Sequence, residues 1–103
     1  MTSGVVHHAR LAWDAARVVV AVADSDEDRL YEWLVDQLDL VGGPELAQAL
    51  SISRTRLLYR MRPDARAVEA GMWRARLHDL LDYYPEQAGR LAGIVAELAA
   101  VLP

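Results

Sequence analysis

From residue 4 to residue 102 the apolar residues recur three and four apart, and nowhere do they alternate with polar ones for as long as a half-buried strand requires. That spacing excludes a sheet and leaves an all-α fold. With 103 residues there is room for one real core but not two, so the chain reads as a single helical domain over 1–103. The hydrophobic share is 53%, too high for a disordered chain.

Punctuation divides the pattern into about six helices in a compact bundle. The first spans 4–23, with Val5, Ala9, Ala12, Trp13, Ala16, Val19, Val20 and Ala23 on its main stripe and Val6, Leu11, Val18 and Val22 widening it. Asp24-Ser25-Asp26 breaks it, and Ser25 with Asp28 forms a capping pair for a second helix running to about Val41. Gly42-Gly43-Pro44 ends that helix and starts the next. A short helix is expected from Pro44 to Leu50, a turn at Ser51-Ile52-Ser53, and a further helix from Arg54 to about Arg62, where Pro63 intervenes. The last third, 64–102, reads as an αα-hairpin broken at Tyr84-Pro85. Trp73, Leu77, Leu80, Leu81 and Tyr84 line one arm, and Ala88, Leu91, Ala92, Val95, Leu98, Ala99 and Leu102 the other. Trp13, Trp33 and Trp73 all fall on apolar stripes and are expected in the core.

Several chemistries are excluded by composition. Cysteine is absent, which removes disulfides and thiolate metal sites. His7 and His8 diverge around a helix, and His78 stands apart from them. Asp24, Asp26 and Asp28 imitate the start of a calcium loop, but Arg29 and Val35 occupy the positions that need glycine and glutamate. No nucleophile–base arrangement, phosphate loop or carboxylate pair can be assembled, so no catalytic residue, cofactor or metal is expected. Apolar runs are too short for a membrane span, and Arg10, Asp14 and Arg17 interrupt any leader, so a cytoplasmic protein is expected.

Charge is segregated along the chain. The total is −4, yet Asp24 to Val41 carries −6 and Pro44 to Arg66 carries +3. All eleven basic residues are arginine, a bias that a GC-rich genome explains without any phosphate ligand. Asp28, Glu32, Asp36 and Asp39 share one helical face, solvated or docked on a basic partner, the arginine helix itself included.

The segment Glu45 to Arg62 meets the requirements of a helix-turn-helix over 44–62. Ala47 or Ala49 permits close helix packing, Leu46 and Leu50 face inward, and Ile52 plugs the turn. Ser53 caps the second helix, and Leu57, Leu58 and Met61 return to the core. Ile52 to Arg62 resembles the recognition helix of Fis-type DNA-binding domains, with an Ile-Ser-Arg-Thr opening and a basic, tyrosine-containing continuation. The resemblance implies that Arg54, Thr55 and Arg56 contact base edges or phosphates in duplex DNA. It makes Ser53, Tyr59, Arg60 and Arg62 phosphate contacts. Such a regulator acts as a homodimer, and the surplus apolar faces of the first and last helices suit one. The other reading is a non-enzymatic helical adaptor that holds a protein partner through the acidic helix 26–41 and the apolar hairpin. Residues 73–98 loosely resemble small helical modules beside bacterial effector enzymes. The two readings part on whether Arg54, Arg56 and Arg60 share one open surface.

Overall fold

A computed structural model describes residues 4–102, with side chains from His8 onward, so Val5, Val6 and His7 lie outside the described side chains. It is all-helical and compact, with a Cα radius of gyration of 13.1 Å. The helices are α1 (Gly4–Ala23), α2 (Asp28–Gly42), α3 (Pro44–Leu58), α4 (Ala65–Tyr83) and α5 (Ala88–Val101), with a single 3₁₀ turn at Pro85–Gln87 before α5. No strand occurs among the described residues.

α1 is the hub. Ala12, Ala15, Ala16, Val19, Val20, Val22 and Ala23 are all buried, a face too wide for one neighbour. Four alanines among them let other helices approach closely, α4 most extensively and then α5. Most of the wide apolar face is thus used inside one chain. α4 and α5 were expected to pair as a hairpin. Instead each packs on α1, and their backbones scarcely approach one another. The buried seam of α5 is Leu91, Ile94 and Leu98, which leaves Ala92 and Ala99 in solvent.

The ends of the elements follow from local chemistry. Gly43 joins α2 to α3 at φ +83°, a conformation that side chains rarely adopt. Ser25 does not cap α2. Its hydroxyl donates to the Val22 carbonyl at 2.7 Å and accepts the Glu27 amide at 3.2 Å, closing α1 instead. α2 then begins behind Glu27 with no side-chain cap. Pro63 acts earlier than expected: in a continued helix its ring would clash with the carbonyl four residues back, at Tyr59, and α3 has already ended at Leu58.

The largest correction concerns residues 51–53. There is no turn: α3 runs unbroken from Pro44 to Leu58, which makes five α-helices among the described residues where about six were expected. Ser51-Ile52-Ser53 contains neither glycine nor proline, and three such residues cost a helix at most a few tenths of a kcal/mol each, about 0.7 at the extreme. Continuity places Leu46, Leu50, Ser53 and Leu57 on one buried stripe. Ile52 is therefore half in solvent rather than plugging the core, Leu58 is 72% exposed, and Met61 is 94% exposed. Trp13 and Tyr84 also lie outside the core that Trp73 anchors.

A candidate interaction surface at the arginine segment

The buried stripe of α4 is Glu69, Trp73, Leu77 and Leu81, one residue per helical turn, and its first member is a carboxylate. It faces the serine on the buried stripe of α3. Ser53 Oγ donates to Glu69 Oε1 at 2.7 Å and accepts Trp73 Nε1–H at 2.8 Å. Ser53 is 2% exposed and Glu69 4%, the two buried polar residues among those described. Each therefore satisfies the other, as buried polar groups must. Ser53 is neither a helix cap nor open to a phosphate. It pins α3 to α4.

The arginines that follow are engaged one by one with carboxylates of this chain. Arg54 turns toward α2, where its guanidinium lies 4.1 Å over the Tyr31 ring and Nη2 donates to Asp28 Oδ1 at 2.7 Å. Its Nη1 is buried without a hydrogen-bond partner. Arg56 Nη1 is 3.6 Å from Glu69 Oε2, an outer contact of the buried network. Arg60 Nη1 meets Asp24 Oδ1 at 3.0 Å, and Arg66 Nε meets Asp24 Oδ2 at 3.4 Å, so one carboxylate at the end of α1 holds two cations. Arg62 grips Asp64 with two parallel bonds of 2.9 Å. Thr55 is exposed, and its hydroxyl donates back to the Ser51 carbonyl at 3.2 Å. That bond is a habit of threonine within a helix.

Four of the seven expected contact residues do share one place. Arg56, Tyr59, Arg60 and Arg62 border an opening of about 290 Å3 at the corner between α3 and α4. Its apolar lining comes from Met61, Ala65 and Val68. Ser53 and Arg54 face elsewhere, into α4 and toward α2. Asp28 was expected on a solvated or docked acidic stripe and docks on Arg54 of the same chain. Glu32, Asp36 and Asp39 are exposed.

Glu69 and Met61 were missed from the sequence. The signal for Glu69 was present, since an acid stood four residues before Trp73 on an apolar stripe. Met61 was assigned to the core only because the assumed turn would have rotated it there. His78 is not as isolated as expected: Nδ1 lies 3.5 Å from Asp82 Oδ2, with Asp79 alongside. The trio sits on one exposed turn of α4, which its i, i+1, i+4 spacing accounts for. No described helix is long and apolar enough to cross a membrane. Compared with family models, curated proteins and solved structures, the chain finds no match.

Proposed function

We propose that this chain is a non-enzymatic, helical protein-interaction module whose contact surface is the corner between α3 and α4. The observation that carries the reading is the state of the arginines. Five of them, Arg54, Arg56, Arg60, Arg62 and Arg66, meet four carboxylates of their own chain. Binding to duplex DNA draws most of its free energy from counterions released by uncompensated cations, and here little local charge is left uncompensated. What the corner does offer is exposed Tyr59 and Met61 beside half-used guanidinium groups. Tyrosine, methionine and arginine are the residue types enriched at the centres of protein interfaces. Methionine adapts its shape to a partner, and each guanidinium keeps donors free for a partner's carbonyl or carboxylate oxygens.

The duplex-DNA reading needs the same arginines freed, so one assay separates the two. Fluorescence anisotropy is measured with a labelled duplex and with a labelled helical peptide bearing a Leu/Phe stripe flanked by glutamates, each at about 50 mM salt and above. The peptide is expected to bind, and Met61→Asp to abolish that binding without unfolding the protein. If the duplex binds instead, with log affinity falling linearly in log salt and a slope that Arg60→Ala reduces by about one, the regulator reading replaces this one.

A further inference from the structure

α1 is surrounded on most sides, but one strip of it stays open. Asp14, Arg17, Val18 and Ala21 form the floor of a slot of about 1170 Å3 that shares no lining residue with the arginine corner. The walls are the first turns of α4, through Ala67 and Ala70, and the last turns of α5, through Val95 and Ala99. These two helices scarcely approach one another because the space between them is this slot. Between its charged ends Val18, Ala21, Ala67, Ala70 and Ala99 present short side chains, so a backbone could come close to α1 there.

From Arg17 to Asp24 the slot follows α1 for about two helical turns, roughly 11 Å. The ends of the slot differ in charge. At one end stand Asp26 and Glu27, both exposed and without an ion-pair partner among the described residues. Asp24 and Arg66 are nearby but are spent on each other and on Arg60. At the other end stand Arg17, exposed and likewise unpaired among the described residues, and Asp14, whose charge is met by Arg10 at 3.7 Å. Arg17 lies six residues before the end of α1, about 9 Å along its axis.

We infer that the slot receives an amphipathic α-helix of a partner protein, oriented with its N-terminus at Asp26 and Glu27 and an acidic residue at Arg17. The partial positive charge of a helix N-terminus, reinforced by arginine or lysine in that turn, complements the two free acids. An aspartate or glutamate about two turns later meets Arg17. Apolar residues between them, three and four apart, cover Val18, Ala21, Ala70 and Ala99. In this orientation the incoming helix runs antiparallel to α1 and completes a four-helix layer with α4 and α5. α4 itself runs antiparallel to α1, since its first turn reaches the end of α1 through the Arg66–Asp24 contact. This surface is separate from the corner at α3–α4, so the inference does not depend on the corner's occupant.

The probe is a synthetic helix of about four turns with an arginine pair in its first turn, a leucine/alanine stripe and a glutamate pair two turns on. A second peptide reverses the charges. Anisotropy should show the first binding about tenfold more tightly than the second, from the rim ion pairs at the two ends, since the backbone dipole is common to both peptides. Asp26→Arg/Glu27→Arg combined with Arg17→Glu should invert that preference, and all three positions are exposed, so the fold survives the change. Ala99→Trp should block both peptides, while Met61→Asp should leave them unaffected. Equal binding of the two peptides, no binding of either, or indifference to Ala99→Trp would overturn the inference. So would sedimentation showing a dimer that Ala99→Trp dissociates, because the slot would then belong to a second copy.

Discussion

Removing one oxygen atom from Ser53 should cost this protein more than removing most exposed side chains. Ser53→Ala leaves the shape of α3 unchanged and adds no bulk, but it strips Trp73 Nε1–H and Glu69 Oε1 of the partner they share. Both groups sit where water does not reach, with Trp73 fully buried and Glu69 almost so. A buried group left unpaired costs about 1–3 kcal/mol, and more when charged, so the expected loss is about 2–5 kcal/mol. In urea, with a slope of about 1–3 kcal/mol per molar, the midpoint should fall by about 1 M or more while the slope stays constant. Glu69→Gln is the control. It keeps an oxygen facing the serine and loses chiefly the 3.6 Å contact to the half-exposed Arg56, so about 1 kcal/mol is expected. A loss below about 0.5 kcal/mol for Ser53→Ala would show that the network does not hold α3 to α4. A larger loss for Glu69→Gln than for Ser53→Ala would show that charge, not the hydroxyl, is its centre.

Three further substitutions probe the continuity and the entry of α3. Leu57→Ala should destabilise by about 2–5 kcal/mol, and Leu58→Ala by no more than about 0.5 kcal/mol, because Leu57 is 2% exposed and its neighbour lies outside. Equal costs in urea would reinstate a bend at 51–53. Gly43→Ala should cost about 1–3 kcal/mol from backbone strain at φ +83°, read as a fall in thermal midpoint.

Much of the architecture was legible because it is local. The 3- and 4-residue spacing and the punctuation at Gly43 and Pro85 placed α1, the α2–α3 junction and the break before α5. Residues 51–53 were misjudged for an instructive reason. The stripe Leu46, Leu50, Ser53, Leu57 has uninterrupted helical spacing, but it reads as such only if a serine is allowed into the core, and the acid that permits this is 16 residues away. The arginine pairings were illegible for the same cause. Arg54 finds Asp28 across 26 residues and Arg60 finds Asp24 across 36, distances that no local pattern encodes. Likewise, periodicity gave α4 and α5 their apolar faces but not the neighbour each would face. Adjacency in sequence suggested each other, and α1 took both.

Asp24 is where the charge of this protein is most economically tested. Its two oxygens hold Arg60, which borders the α3–α4 corner, and Arg66, which borders the slot on α1. Asp24→Asn keeps the size of the side chain and some hydrogen-bonding capacity while removing the charge. Both arginines are about half exposed, so the expected stability loss is small, no more than about 1 kcal/mol, and shrinks further as salt rises. The effect on polyanions should be out of proportion to that loss. One uncompensated cation among five becomes two, and each phosphate or sulfate neutralised by a freed cation releases a counterion. Retention on heparin at low salt should therefore increase for Asp24→Asn, with a steeper salt dependence of elution than the unaltered protein shows. Unchanged retention in a folded variant would mean that the arginines were never muted by their own acids. The case against the duplex-DNA reading would then lose its physical basis.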